Sequence, residues 1–180
     1  MIGVVRGDLA GTAAQAILRP VAAEWTAVTG SLKRLEPLMG EAVEEQCRKM
    51  GVLPPGTALV TSGGGLEAEF VIHVVVRSLH QQVTRFIVAR GLEAALGRAD
   101  EWGIESLAMP PVGVGAGNLD AEQSAAVIVP ILVEWQRTDR LPRQISIVVE
   151  TEYEHDVFER AVRQATDSAA DAPDLPLLDP

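Results

Sequence analysis

Met109-Pro-Pro-Val-Gly-Val-Gly-Ala-Gly-Asn-Leu-Asp120 is the stretch of this sequence that decides the fold. Apolar residues lead into it from Leu107, glycines then alternate with small residues, and the apolar run 121–135 that follows is typical of a helix. The predicted order is therefore strand, glycine turn, helix. Glycine adopts positive φ and lets a ligand approach the backbone, so the N–H groups of this turn and the helix start behind it predict an anion site.

The residues of this turn exclude two common phosphate-binding motifs. Position 118 is Asn, where the dinucleotide fingerprint G-x-G-x-x-G requires its third glycine. No Gly-Lys-Ser/Thr sequence follows, so the turn is not a P-loop. On local sequence alone, a glycine turn that binds no ligand remains an equal alternative.

Length and charge restrict the possible partners. We expect 180 residues to form one domain over residues 1–166, followed at 167–180 by a disordered tail that holds four Asp and no Lys or Arg. The net charge of −10 makes binding to a DNA or RNA backbone unexpected, because such partners require a basic face. A phosphate ligand would therefore depend mainly on backbone N–H groups.

Other sequence signals predict neither a secreted nor a metal-dependent protein. Cys47 is the one cysteine, which excludes an intrachain disulfide, and an inert helix cysteine is favoured over a nucleophile. We see no signal peptide and no apolar run of about 18 residues, so a cytoplasmic protein without a membrane span is expected. No metal-ligand cluster is found, and no cofactor is predicted.

Strand and helix patterns alternate along the chain, which predicts helices on both faces of a mostly parallel sheet. His73 lies inside a run typical of a buried strand, which favours a hydrogen-bonded core histidine over a catalytic base. The helix at 121–135 is apolar almost all round, so either it is well covered or it meets another subunit. The predicted strands are 2–6, 15–20 (ended by Pro20), 57–61, 70–76, 106–112 and 143–149, and the predicted helices are 41–50, 82–99, 121–135 and 151–165, with Pro37 interrupting a further one at 32–39.

Several of these segments, in this order, resemble the macro domain, the ADP-ribose-binding module. The resemblance covers about residues 2–165 and implies a three-layer α/β/α sandwich around a mixed, mostly parallel six-stranded sheet. The matching segments are Val4-Val-Arg-Gly-Asp-Leu9, Glu45-Gln-Cys-Arg-Lys before a strand that ends in Thr61-Ser-Gly, Phe70-Val-Ile-His73, and the stretch from Met109 to Leu119.

The resemblance also implies a set of ligand-binding residues. Asp8 matches the aspartate that accepts a hydrogen bond from the adenine amino group, and the backbone N–H of Leu9 meets the ring. Without the resemblance, a turn or helix-cap aspartate is the favoured interpretation of Asp8. The loop that wraps the phosphates and the distal ribose corresponds to Gly113, Val114, Gly115, Ala116, Gly117 and Asn118, and the first loop keeps Gly30 and Ser31.

This chain departs from the family where its hydrolases carry their catalytic groups. The family stretch Asn-Ala-Ala-Asn is Arg19-Pro-Val-Ala22 here, and Leu32 stands where the catalytic aspartate would be. Leucine cannot accept a proton, and neither arginine nor alanine hydrogen-bonds as asparagine does. Glu150 occupies the place of an aromatic that stacks on adenine, with Tyr153 near enough to substitute. We therefore predict no catalytic residue.

Three functions remain open. The first is a non-catalytic module that binds ADP-ribose or a related adenine nucleotide, free or on an ADP-ribosylated protein. The second is a structural protein that has lost its ligand and forms homo-oligomers through the 121–135 helix. The third is a hydrolase of ADP-ribosyl or acetyl esters with a new base, for which Glu24 and Glu36 are the candidates. Arg19 could contact a phosphate, although pairing with one of these glutamates is favoured.

Overall fold

The computed structural model describes residues 1–115 and 118–170. Six strands and six α-helices are found there, with a single 3-10 turn at Leu9–Gly11. The strands are β1 (Ile2–Arg6), β2 (Ala16–Ala22), β3 (Ala58–Ser62), β4 (Phe70–Arg77), β5 (Ser106–Met109) and β6 (Gln144–Val149). The helices are α1 (Gly30–Lys33), α2 (Glu36–Met39), α3 (Glu41–Lys49), α4 (Arg85–Glu101), α5 (Ala121–Gln136) and α6 (Glu152–Ala170).

The strands form one mixed sheet in the order β1-β6-β5-β2-β4-β3. All neighbouring pairs are parallel except β3 and β4, which are antiparallel. Helices α4, α5 and α6 pack on one face of the sheet, and α1, α2 and α3 pack on the other. The predicted three-layer α/β/α sandwich with six strands is therefore confirmed.

Strand β2 does not end at Pro20, as we predicted, but continues for two more residues. The carbonyl of Gln15 accepts from the N–H of Phe70 on β4. Successive residues of a strand direct their backbone groups to opposite neighbouring strands, so the odd-numbered residues of β2 bond to β4. Pro20 therefore faces β5, which pairs with β2 only at Ala16 and Ile17. The missing N–H costs no ladder hydrogen bond there, and the proline is tolerated inside the strand.

Helix α5 begins at the predicted capping box. The Asp120 side chain accepts from the N–H of Gln123, whose side chain accepts in return from the Asp120 N–H. The helix packs against both α4 and α6 as well as the sheet, and partly buried residues such as Val127 and Ile131 join the same core. Contacts within this chain thus cover most of its apolar circumference and leave residues such as Val127 and Ile131 half-buried.

Helix α6 begins at its predicted capping box and extends past its predicted end. Thr151 and Glu154 form the predicted capping box of α6, each side chain accepting from the other residue's N–H at 3.1 Å. The helix then continues through Ala170, so residues 167–170 are helical rather than part of a disordered tail. Residues 171–180 lie outside the described part of the chain. Within it, no helix is both long enough and apolar enough to cross a membrane.

Candidate functional site

A cavity of about 320 Å³ lies where the carboxyl ends of β1, β2, β5 and β6 meet. This is the edge at which open α/β sheets bind their ligands. Its walls are the turn after β1, the loop that leads into α1, the glycine loop after β5 and the end of β6. The lining residues are Gly7, Asp8, Leu9, Pro20, Val28, Thr29, Gly30, Ser31, Leu32, Pro110, Pro111, Gly113, Val114, Gly115, Val148, Glu150 and Glu154.

The turn after β1 places Asp8 in the wall of this cavity. One carboxylate oxygen, Oδ1, accepts from the N–H of Ala10 at 3.1 Å and caps the 3-10 turn. Leu9 is buried beneath the turn and anchors it to the core. The cap interpretation and the ligand interpretation of Asp8 are therefore compatible, because a carboxylate has two oxygens and the capping bond uses one of them.

The loop that leads into α1 supplies hydroxyl groups but no acid. Thr29 Oγ1 accepts from the N–H of Leu32 at 3.3 Å and lies 3.0 Å from Ser31 Oγ, so the loop is ordered by its own side chains. The predicted residues Gly30 and Ser31 both line the cavity. Leu32 lines it too, but is buried against the core. No proton acceptor stands at that position.

The glycine loop requires glycine at two described positions. Gly113 has φ of +96°, and a Cβ there would lie 2.7 Å from Cδ1 of Leu119. Gly115 has φ of +70°, and its Cβ would lie 3.3 Å from Cγ2 of Thr29. The glycine loop therefore lies against the loop before α1, and residues of both line the cavity. Side chains at either glycine would strain the backbone.

The remaining predicted residues of this loop are not all at the cavity. Val114 lines it, whereas Ala116 and Gly117 lie outside the described residues. Asn118 does not line it: its Nδ2 donates to the carbonyl of Val83 at 2.8 Å and ties the loop to the start of α4. The structure thus gives Asn118 an anchoring contact rather than a ligand-facing position.

The charges in the cavity wall are all negative. Asp8, Glu150 and Glu154 line it, and no Lys or Arg is among its described lining residues. Glu154 Oε2 accepts from the N–H of Glu150 and of Thr151, so this carboxylate is largely occupied by the start of α6. The described lining thus offers a phosphate the backbone N–H groups of the glycine loop and no basic side chain.

Tyr153 does not take the place of the stacking aromatic. It is exposed, its hydroxyl donates to Glu122, and it is not a lining residue. Position 153 lies on the first turn of α6, which turns its side chain towards α5 instead. Glu150 does line the cavity, so an acidic residue stands where the family resemblance implies an aromatic.

Arg19 points away from the ligand cavity. Neighbouring residues of a strand face opposite sides of the sheet, so Pro20 reaches the cavity while Arg19 lies under α2 and α3. Only 3% of Arg19 is exposed. One of its terminal nitrogens lies 2.6 Å from Glu36 Oε1, which also accepts from the N–H of Ala27. The favoured expectation of a structural ion pair is confirmed, with Glu36 as the partner.

A second cavity of about 260 Å³ surrounds this ion pair. His73 is fully buried in its wall, where its Nδ1 lies 3.3 Å from the Arg19 guanidinium and its Nε2 lies 2.9 Å from Thr61 Oγ1. Since arginine can only donate, Nδ1 accepts and Nε2–H donates to the hydroxyl. Burial, together with the Arg19 charge, lowers the pKa of His73 from 6.5 to about 3. His73 is thus the predicted hydrogen-bonded core histidine.

Cys47 lines this cavity beside the histidine. The thiol is buried, with Sγ 3.8 Å from His73 Nε2, and burial raises the pKa of Cys47. A buried thiol with a raised pKa is a poor nucleophile, as expected of an inert helix cysteine. Across residues 1–115 and 118–170, no group of three or more His, Cys, Asp or Glu side chains is placed to hold a metal ion.

The neutral His73 makes the fold sensitive to acid. Folded His73 stays neutral down to about pH 3, whereas the unfolded chain binds a proton below about 6.5. The unfolded state therefore holds more protons between these values, and stability is lost as the pH falls. From pH 7.5 to 4.5 we expect this residue to lower the free energy of unfolding by about 2–3 kcal/mol.

Urea unfolding of the wild type and of His73→Gln at several pH values measures this effect. The variant keeps a side chain that can donate to Thr61 and accept from Arg19, but it has no proton to gain. We expect the acid-dependent loss to be about 2–3 kcal/mol smaller in the variant. Equal losses in the two proteins would show that His73 is not the residue responsible.

Comparisons with known proteins agree with this architecture. The family described as Macro domain matches residues 27–128. An uncharacterised protein of Aeropyrum pernix is 32% identical over 92% of this chain and 87% of its own length. The O-acetyl-ADP-ribose deacetylase of Citrobacter rodentium is 27% identical over 92% of this chain and 97% of that protein. The Oceanobacillus iheyensis macrodomain solved with ADP superposes with a TM-score of 0.80 at 18% identity, covering 92% of this chain and 91% of that one.

The family match spans more than half of the chain, and it includes both the loop before α1 and the described part of the glycine loop. The structural likeness, at 18% identity, independently supports the sandwich and its strand order. Both agree with the position of the cavity at the carboxyl edge of the sheet. We conclude that this chain belongs to the macro domain family.

Proposed function

We propose that this protein binds ADP-ribose, or a related adenine nucleotide, in the 320 Å³ cavity and does not hydrolyse it. One observation carries the proposal: the cavity brings together the Asp8 turn, the loop before α1 and the glycine loop, which are the three segments that the family resemblance assigns to such a ligand. The Oceanobacillus macrodomain that shares this fold was solved with ADP, which supports a ligand of this class.

Each part of the ligand has a chemically suitable wall. Asp8 can accept from the adenine amino group, with the backbone N–H of Leu9 beside it. The diphosphate fits the backbone N–H groups of the glycine loop, because amide donors bind phosphate without a basic side chain. The distal ribose fits the hydroxyl groups of Thr29 and Ser31.

The proposed absence of hydrolysis rests on what surrounds the distal ribose. Leu32 and Pro20 are apolar, and the carboxylates among the described lining residues, Asp8, Glu150 and Glu154, belong to the segments that follow β1 and β6 rather than to the loop before α1. Glu36, one of the two candidate bases, is held by Arg19 and by the Ala27 N–H in the other cavity. Glu24 also lines that second cavity. A water near the ribose therefore has no positioned base to activate it.

Asp8 should determine the preference for adenine. We expect Asp8→Ala to weaken ADP-ribose binding about 10- to 100-fold, because a hydrogen bond to a charged acceptor contributes about 1.5–3 kcal/mol. The hypoxanthine analogue, which has a carbonyl in place of the amino group, should bind the wild type more weakly than ADP-ribose does, by a similar factor. Titration calorimetry of both ligands measures this. Equal affinity for the two bases would contradict the assigned role of Asp8.

The named relative that deacetylates O-acetyl-ADP-ribose makes hydrolysis the second candidate function. Incubation with O-acetyl-ADP-ribose and with an ADP-ribosylated protein, under conditions where calorimetry shows saturation, distinguishes the two. The binding proposal expects no product above the uncatalysed rate. The proposed partner is then an ADP-ribosylated protein. Homo-oligomerisation through α5 is a separate proposal, and a monomer mass by light scattering would count against it.

A further inference from the structure

Two large apolar side chains are displayed to solvent beside the glycine loop. Leu79 lies in the connection between β4 and α4 and is 85% exposed. Phe86 lies in the first turn of α4 and is 68% exposed. Single exposed apolar residues need no explanation, but two on one short segment next to a ligand cavity suggest an interaction surface.

The same segment is the basic part of an acidic protein. No Asp or Glu occurs from residue 70 to residue 92, although the net charge of the chain is −10. Arg85 and Arg90 are exposed, and neither forms an ion pair with a described carboxylate. The Arg90 guanidinium lies 5.8 Å from the centre of the Phe86 ring. The first turn of α4 contains no acidic residue, so the positive end of its dipole adds to this charge.

The segment is held in place by its own contacts. The N–H of Ser78 donates to the carbonyl of Gln81, and Thr84 caps α4 by accepting from the N–H of Ile87. Val83 is buried, and its carbonyl accepts from Asn118 of the glycine loop. An ordered surface loses little conformational entropy when a partner binds. A partner that binds here would lie against the loop that borders the ligand cavity.

We propose that Leu79, Arg85, Phe86 and Arg90 form a docking surface for an acidic segment of a partner protein that also carries apolar side chains. Carboxylates of the segment would pair with the two arginines, and its apolar residues would cover Leu79 and Phe86. Charge complementarity favours this partner, because Arg85, Arg90 and the positive end of the α4 dipole attract carboxylates to this surface. A nucleic acid is disfavoured, since the net charge of −10 opposes a long run of phosphates.

Fluorescence anisotropy with three labelled probes tests this proposal on the whole protein. The probes are a twelve-residue peptide in which pairs of Glu separate Leu and Phe, the same peptide with Lys in place of Glu, and a twelve-nucleotide oligothymidine. We expect the acidic peptide to bind and the other two not to bind. Binding should weaken roughly tenfold as salt rises from about 0.05 to 0.5 M, because exposed charges are screened.

Charge reversal locates the binding site. The double variant Arg85→Glu, Arg90→Glu should bind the acidic peptide at least about tenfold more weakly than the wild type. The double variant Leu79→Ser, Phe86→Ser should show the same loss of affinity. Arg160→Glu with Arg163→Glu is the matched control, because both arginines are exposed on α6 and the net charge changes equally. The control should bind the peptide within about twofold of the wild type.

Three outcomes overturn the proposal. They are no binding of the acidic peptide to the wild type, equal weakening in the α4 and α6 variants, and binding of oligothymidine that the Arg85 and Arg90 changes abolish. Because the surface lies outside the cavity, all measurements are repeated with saturating ADP-ribose, and the proposal does not depend on whether that ligand binds. Thermal unfolding of each variant confirms that it is folded.

Discussion

Replacing Glu36 by alanine should lower the free energy of unfolding by about 3–5 kcal/mol, because it leaves a buried charge without its partner. Arg19 is 3% exposed, and its 2.6 Å contact with Glu36 is its one ion pair with a described carboxylate. Burial already lowers the pKa of Arg19, which shows that its surroundings disfavour the charge. The same change removes the acceptor of the Ala27 N–H. Urea unfolding at pH 7 measures the loss.

Two variants show whether the ion pair is the cause. Glu101→Ala removes a pair of similar length, 2.7 Å to Arg98, but both partners are exposed, so the cost should stay below about 1 kcal/mol. Arg19→Met combined with Glu36→Leu replaces both charges by apolar groups and should recover part of the loss. If Glu36→Ala lowers the free energy of unfolding no more than Glu101→Ala does, the buried Arg19–Glu36 ion pair does not stabilise the fold.

Gly115→Glu should reduce ADP-ribose affinity at least about 100-fold, because it combines three unfavourable effects. The residue has φ of +70°, which side chains rarely adopt. Its Cβ would press on Thr29 across the cavity, at 3.3 Å from Cγ2. The new carboxylate would also stand where the proposed ligand carries its phosphates, and like charges repel.

Gly103→Glu is the matched control for this change. Gly103 has a nearly identical φ of +67°, is exposed, and has open space where a Cβ would stand. The backbone strain and the change in net charge are therefore the same, but the position follows α4, away from the cavity lining. The control should be less stable than the wild type and bind ADP-ribose normally. Equal losses of binding in both variants would mean that strain alone is responsible.

Local patterns were sufficient to predict most elements of the fold. The apolar run of β4, the capping boxes of α5 and α6, and the glycine stop after α3 all depend on residues close in sequence. Such patterns act through short-range geometry, so they can be read without knowledge of the tertiary structure. Pro20 shows the limit: its place inside β2 depends on where β5 ends, which is a long-range property.

The candidate site was predictable as a set of segments but not as a surface. The family resemblance identified Asp8, the loop before α1 and the glycine loop, and the structure brings the described members together. The resemblance also places Glu150 there, whereas Glu154 completes the wall because β6 lies beside β1, and no local signal reveals that neighbour. The resemblance places Asn118 with the ligand, whereas in the structure its side chain anchors the loop to Val83.

Titration calorimetry of ADP-ribose into the wild type, Asp8→Ala and Gly115→Glu tests the central claim most directly. The account predicts saturable one-to-one binding with a dissociation constant on the order of micromolar, weakened by the first change and abolished by the second. Absence of heat and of any thermal shift with the wild type at millimolar ADP-ribose would contradict it. The cavity would then be a macro domain pocket that no longer binds the proposed ligand.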